Sequence, residues 1–354
     1  MNKVLLQDLI AIAESNLPFK DYKKRTFLVT GATGLIGSLL VKALLFCNQR
    51  HDLELNVVAL VRNKQKAEEI LGREDEHPEL QYVVCDLEKD DIKIDEKIDY
   101  IVHAAAITNS KTMVTFPVDT IRASVNGTDK ILNLALENNI YGMVYISSME
   151  VYGSVPSQGL TTEENLGIIN LANVRSCYPE SKRLCECLCT AYSVQHGLNV
   201  KSARLAQTFG AGILPNENRV FAQFARSAMK GEDIVLHTEG KSEGNYVYTR
   251  DAIIGILLLL TRGKAGEAYN IVNEQSHVTI SQMAKLVSDY FGGGKSKVVF
   301  DIPESTLNYG YAPDVKLHLS ADKMKCLGWI PEVGIVEAYK RMISYLQEES
   351  NNLS

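Results

Sequence analysis

Tyr178 and Lys182 stand four residues apart in Tyr178-Pro-Glu-Ser-Lys182, so on a helix both side chains share one face. Pro179 between them is compatible with a helix only in its first turn. A phenol titrates near pH 10, about three units too high for a base at neutral pH, and an ammonium beside it favours the phenolate. Such a pair can take a proton from a sugar or alcohol hydroxyl while hydride leaves for a nicotinamide. Ser148 is predicted at the end of a strand over Met143–Ile146, where its hydroxyl can bond the same oxygen. Tyr-x-x-x-Lys alone arises by chance in many helices, so its meaning depends on what else the chain carries.

A dinucleotide site is the natural companion. The apolar run Phe27–Thr30 ends in Gly31-Ala-Thr-Gly34-Leu-Ile-Gly37, and Ser38-Leu-Leu-Val-Lys-Ala-Leu-Leu45 follows with helical character. Gly31 permits a tight turn, Gly34 lets backbone N–H groups approach a pyrophosphate, and Gly37 lets a helix pack close to the strand. The helix N-terminus adds a partial positive charge for the anion. Three glycines can also be a plain strand-to-helix turn, but their place after the first strand of a βαβ series favours a dinucleotide. An acidic residue after the second strand binds the adenosine 2′-hydroxyl, whereas Arg there accommodates a 2′-phosphate. Val57-Val-Ala-Leu-Val61 runs into Arg62-Asn-Lys64 without a carboxylate, which leans towards NADP over NAD. The alternative makes Arg62 a solvated residue opening the next helix. Asp86, after Val83-Val-Cys, is placed to meet an adenine edge, with Leu87 against the ring.

These groups need a scaffold, and the hydrophobic pattern supplies one. Short apolar runs at 27–30, 57–61, 82–84, 100–102, 143–146 and 200–205 alternate with longer helix-like segments. That rhythm predicts an α/β fold: a Rossmann doubly wound parallel sheet, followed by a smaller mixed α/β domain. The turn-rich stretch Ala211–Asn218 marks the change of domain. Thr279 with Gln282 reads as a capping box opening a helix through Phe291, stopped by Gly292-Gly-Gly294, and a similar start is expected at Ser320. Residues 1–20 read as an amphipathic helix and linker. Ala252–Leu260 reads as a buried helix rather than a cofactor box, and is far short of the roughly 20 apolar residues a membrane helix needs.

Composition narrows the classes without choosing among them. The chain has 354 residues, 45% hydrophobic and 23% charged, with net charge −6. No run of Lys and Arg suggests a nucleic-acid or membrane surface. Seven cysteines, an odd number, and no sustained apolar stretch near the start favour a reduced, cytoplasmic setting. Of Cys185, Cys187 and Cys189 only the first and last can share a helical face, and no His lies at matching spacing, which argues against a metal. His103 reads as the end of a core strand beside the cofactor rather than a base.

Taken together, the chain resembles the extended short-chain dehydrogenase/reductases, the NAD-dependent epimerase/dehydratase family that modifies nucleotide sugars. The likeness runs from about Thr26 to Glu348 and includes the glycine loop, His103-Ala-Ala105, Asn126-Gly-Thr128, Ser147-Ser-Met-Glu-Val-Tyr-Gly153, Arg204-Leu-Ala-Gln-Thr-Phe-Gly210, Tyr269-Asn-Ile271 and Leu327-Gly-Trp-Ile-Pro331. Within the family, Arg175-Ser-Cys-Tyr-Pro-Glu-Ser-Lys-Arg183 is most similar to the UDP-glucuronate decarboxylases. The resemblance implies catalytic roles for Ser148, Tyr178 and Lys182, with Lys182 also holding the nicotinamide ribose. It implies a cofactor cradle of Gly31, Thr33, Gly34, Leu35, Ile36, Gly37, Arg62, Asp86, Leu87, Ala104 and Ala105. A nucleotide-sugar domain is expected at 213–244 and 276–354, against a dinucleotide domain of 1–212 with about 245–275. A homodimer is expected through the helices near 118–137 and 178–196.

Departures from the family pattern limit the activity. Dehydratases place Asp then Glu after the catalytic hydroxyl residue; this chain has Met149 and Glu150. A thioether cannot protonate a departing hydroxyl, so 4,6-dehydration is disfavoured, while Glu150 remains an available acid or base. Gln207 replaces the usual Asn of the substrate site. Gly244 stands where relatives carry Arg, so decarboxylation loses its main cation unless Arg219, Arg250 or Lys241 substitutes. The leading expectation is a nucleotide-sugar epimerase using NAD or NADP. The alternatives are an NADPH-dependent keto-sugar reductase, a UDP-glucuronate decarboxylase-like enzyme, and a non-catalytic dinucleotide-sensing Rossmann protein.

Overall fold

A computed structural model describes residues 1–156, 159–214, 217–302 and 315–353. The strands in chain order are β1 (Thr26–Thr30), β2 (Asn56–Val61), β3 (Leu80–Val84), β4 (Tyr100–His103), β5 (Gly142–Ser148), β6 (Val200–Leu205), β7 (Gln207–Phe209), β8 (Ile234–Leu236), β9 (Glu243–Tyr248), β10 (Ala268–Ile271), β11 (Asn273–Thr279) and β12 (Val298–Phe300). Seven of them form one sheet in the order β10-β6-β5-β4-β1-β2-β3, every neighbouring pair parallel. This is the doubly wound Rossmann arrangement that the alternating pattern predicted.

Both faces of the sheet are covered, which explains the unbroken apolar runs. On β1, Phe27 and Val29 enter a core built with helices Leu35–His51 and Thr249–Arg262, while Leu28 enters a second core on the opposite face. That opposite face is packed by helices Pro117–Asn138 and Cys177–His196, joined where Tyr192 donates to Asp129 at 2.7 Å. The Ala252–Leu260 stretch lies inside Thr249–Arg262 and is buried along most of its length.

A third cluster, centred on Phe209, Phe221, Tyr246 and Tyr339, lies beneath the smaller sheets β11-β9-β7 and β12-β8. Helix Ile280–Phe291 starts with the Thr279 and Gln282 capping box and ends at Gly292. The start expected at Ser320 falls one residue later: Ala321 is the cap, and the Ser320 hydroxyl accepts from Asp322 N–H at 3.1 Å. Of the turn-rich 211–218 stretch, Pro215 and Asn216 lie outside the described residues, as do 303–314 and 354 of the expected second domain.

The N-terminal segment forms a helix, Lys3–Ala13, with Asn2 as cap and Leu5, Leu9 and Ile12 on its buried face. Asp8 shares that face. It accepts from Tyr248 on β9 at 2.6 Å and from Arg341 in the final helix, Ile335–Leu353, at 2.8 Å. Removing one member of a buried ion pair leaves its partner uncompensated. Asp8→Ala should therefore cost about 3 kcal/mol of unfolding free energy, measured by denaturant titration; a loss within error of zero would show that the pair does not tie the helix down.

Candidate active site

The glycine loop sits at the carboxyl end of β1, where open α/β sheets bind ligands. Gly31 has φ +64, and a Cβ there would lie 2.7 Å from Ala105 N and 2.8 Å from Ala104 C, so the loop and the end of β4 meet backbone to backbone. Gly37 is under the harder constraint: a Cβ would come within 2.2 Å of the Gly31 carbonyl oxygen. Helix Leu35–His51 thus packs directly onto the turn. Gly34, its cap, is exposed and carries no side-chain capping bond, and a Cβ there would touch only Gly31 O, at 3.3 Å. The first amides of the helix are therefore free to receive an anion, and the cradle fits a dinucleotide diphosphate. Thr33, Leu35 and Ile36 are half-buried around it.

The adenosine side is open. Arg62 is exposed just beyond β2, and the helix that follows, Lys64–Leu71, is capped by Asn63 rather than opened by Arg62. Asp86 is partly committed: its carboxylate accepts from Glu88 N–H at 3.1 Å and lies 3.8 Å from Lys89. Leu87 is buried in the core and faces Gly127, where a Cβ would lie 3.5 Å away. His103 is buried, bridging Thr30 at 2.7 Å and Thr128 at 3.2 Å. Burial above all, and then Lys182, push its pKa down to about 3, so it is neutral and structural.

The sheet and helix Cys177–His196 bring Ser148, Tyr178 and Lys182 together. Ser148 is the last residue of β5; its hydroxyl accepts from Glu150 N–H at 3.2 Å and hydrogen-bonds Tyr178. Tyr178 and Lys182 are both buried. The expectation that Lys182 lowers the Tyr178 pKa does not hold in this structure. Lys182 Nζ lies 5.8 Å from the Tyr178 ring centre and donates instead to Ile146 O at 2.7 Å. Burial and the negative Glu150 push the phenol up to about 12, against the downward pull of Ser148, Arg175 and Arg219. Burial also pushes Lys182 down to about 8.

Two residues not singled out from the sequence complete the site. Arg175 donates to Glu150 at 2.9 Å and lies 5.4 Å from the Tyr178 ring centre. Glu186, one helical turn past Lys182, accepts from Ser147 at 2.5 Å and from Arg204 of β6 at 2.7 Å. A signal was present for Glu186, since Tyr178, Lys182 and Glu186 recur every four residues on one face. Arg175 lies ahead of that helix, in the one-turn 3-10 helix Val174–Ser176, where the four-residue spacing gives no signal.

The remaining cations contribute less than expected. Arg219 is half-exposed and forked onto Glu217 at 3.0 and 2.7 Å, though it still acts on Tyr178. Arg250 is taken up by Asp251 at 3.2 Å and Glu332 at 2.9 Å, so it does not replace the charge missing at Gly244. Lys241 pairs with Glu239. Gly244 faces open space, and Gln207 lies on the same sheet as Gly244, with β7 paired to β9. Cys185 and Cys189 are buried and Cys187 exposed, and no metal-binding cluster occurs among the described residues.

Comparison with known proteins decides the family. A model of the NAD dependent epimerase/dehydratase family matches residues 27–272. The chain belongs to that family. Among epimerase/dehydratase relatives it is 28% identical to UDP-glucuronic acid decarboxylase 1 of Xenopus tropicalis, over 93% of this chain and 73% of that one. It is also 28% identical to dTDP-glucose 4,6-dehydratase of Streptomyces antibioticus, over 91% and 92%. In fold it is similar to the epimerase Mth375 of Methanothermobacter thermautotrophicus, with TM-score 0.79 at 20% identity, covering 99% and 97% of the two chains. No helix among the described residues is long and apolar enough to cross a membrane.

Glu186 is one of the negative charges that hold the Lys182 pKa up against burial. In Glu186→Gln the Lys182 ammonium should therefore lose its proton below pH 8 (about 8 in the parent), as read by lysine-selective NMR titration. A midpoint that stays put or rises would show that Glu186 does not act on Lys182.

Proposed function

We propose that the chain is a nucleotide-sugar epimerase that oxidises a sugar carbinol and restores it with inverted configuration. The carrying observation is the grouping of Ser148, Tyr178 and Lys182 beside a glycine cradle, with the carboxylate beside the phenol, Glu150, paired to Arg175 at 2.9 Å. Epimerisation needs a single proton-moving group at the carbinol oxygen, whereas dehydration needs two further acid–base groups at neighbouring carbons. Here Met149 can carry no proton and Glu150 is held by a guanidinium.

In this reading Tyr178 takes the carbinol proton and later returns it, and Ser148 holds the same oxygen by hydrogen bonding. Lys182, charged below its pKa of about 8, orients the cofactor ribose. The bound dinucleotide supplies a reversible hydride acceptor. NAD is the cofactor in the family's name and is the cofactor of this reading; Arg62, exposed just beyond β2 with no carboxylate beside it in Arg62-Asn-Lys64, supports NADP as the alternative. The nucleotide-sugar substrate follows the relatives named above, and the homodimer proposed for this chain uses Ile121 and Leu184, exposed on the two long helices.

Tyr178→Phe should reduce turnover by about 10²- to 10⁴-fold while leaving dinucleotide affinity nearly unchanged. A panel of UDP-, CDP-, GDP- and dTDP-sugars, with products resolved by chromatography, reads this; unchanged turnover would sink the mechanism. Net consumption of NADPH in that panel would identify a reductase, and no reaction with any sugar a dinucleotide sensor. Arg62→Asp should shift the NADP-to-NAD affinity ratio at least about tenfold towards NAD, the scale of one charge-assisted contact. Equal ratios in the two proteins would remove Arg62 from cofactor recognition.

A further inference from the structure

Alternate residues of β5 point to opposite faces of the sheet: Val144 and Ile146 enter one core, while Met143 and Tyr145 enter the other, beneath helix Cys177–His196. Tyr145 is buried there, and its hydroxyl has no hydrogen-bond partner among the described residues. The Cys185 thiol beside it donates elsewhere, to Ser124 O at 3.4 Å. An unpaired buried hydroxyl costs stability, so what Tyr145 contributes comes from its ring. That ring is wedged between two residues of the site. The Lys182 ammonium lies 4.7 Å from its centre, and the His103 ring lies 5.7 Å away, centre to centre.

A buried ammonium is stable only where something answers its charge. Lys182 gives one N–H to Ile146 O at 2.7 Å and keeps the others for a ligand. Burial lowers its pKa to about 8, while Cys185, Glu186 and Cys189 of its own helix oppose that fall. The sheet offers it no carboxylate: β5 has none, His103 of β4 is neutral, and Arg204 of β6 is spent on Glu186. What the sheet does offer, besides the Ile146 carbonyl, is the face of Tyr145. An aromatic face attracts a cation within about 6 Å of its centre, most strongly where water is excluded. Tyr178 stands farther off, at 5.8 Å. Resting on the reading that Lys182 orients the cofactor ribose, we propose that Tyr145 is a positioning residue: its ring face holds the Lys182 ammonium, so that the lysine meets the dinucleotide charged and in one place. His103 backs the ring from the other side, itself fastened to Thr30 at 2.7 Å and Thr128 at 3.2 Å. Thr30 closes β1 at the glycine loop, so the ammonium is set against the strand ends that carry the cradle.

Replacing Tyr145 by pentafluorophenylalanine nearly keeps the ring's shape but turns its negative face positive, a change that a merely structural role would not feel. Lysine-selective NMR of the unliganded protein should show the Lys182 midpoint fall by at least about one pH unit from about 8. Tyr145→Phe keeps the face and should hold the midpoint within about 0.3 units. At about pH 7.5 the fluorinated protein should bind NAD about threefold more weakly than the parent, and at about pH 6, where both ammoniums are charged, the two should bind alike. Tyr145→Met serves if the fluorinated protein loses its thermal transition. A midpoint unmoved by the fluorinated ring, an equal fall in Tyr145→Phe, or a moved midpoint with NAD affinity unchanged would each overturn the proposal. Lys182→Met separates the two readings: it should weaken NAD binding at least about tenfold, and an affinity equal to the parent's overturns Lys182 as the residue that holds the ribose, whatever Tyr145 does.

Discussion

The site depends on a buried ion pair behind it. Glu186 and Arg204 meet at 2.7 Å at the seam between the catalytic helix and the sheet, with side chains only 12% and 5% exposed. Neither charge is isolated. Glu186 also takes the Ser147 hydroxyl, and Arg204 donates to the Glu163 carbonyl at 2.7 Å and to Tyr152 at 3.1 Å. A buried pair is stable only when its remaining donors and acceptors are filled, and this one is filled from β5, β6 and the segment after β5. It sets the rotation and height of the helix that carries Tyr178 and Lys182 relative to the strand that carries Ser148. An error of one ångström there would separate the phenol from the serine.

Around the phenol, opposite charges are arranged so that none is neutralised outright. Glu150 raises the tyrosine, Arg175 and Arg219 lower it, and burial outweighs them all. Lys182 is spent on a carbonyl, and burial lowers its pKa to about 8. Burial and Glu150 together favour the protonated phenol at Tyr178. The chain's net charge of −6 is compatible with two diphosphates because the positive ends are local: helix amides at Gly34 and single arginines.

Much of this was legible from sequence because it is written in backbone requirements. Gly31 and Gly37 are forced because a Cβ there would come within 2.7 and 2.2 Å of neighbouring backbone, the βαβ rhythm by burial on both faces, and Tyr178 with Lys182 by helical spacing. The capping box at Thr279 was readable for the same reason: its signal is local. What could not be read is long-range and made by side chains. Glu186 and Arg204 are 18 residues apart in sequence yet in contact, Arg175 reaches Glu150 across 25, and the direction of the Tyr178 pKa depends on how completely the fold encloses it. Spacing could place an ammonium on the same face as a phenol, but not show that a carbonyl on β5 would claim it.

The contact of Asp8 with Tyr248 and Arg341 has a temporal side. Asp8 precedes Arg341 by 333 residues, so a ribosome adding about 5–20 residues per second leaves that carboxylate without its partner for roughly 15 to 70 seconds. The dinucleotide half can collapse in that interval, since Leu5, Leu9 and Ile12 dock on helices already made. Final locking waits for the last helix. The first helix is thus an early-formed receptor for a segment made 333 residues later.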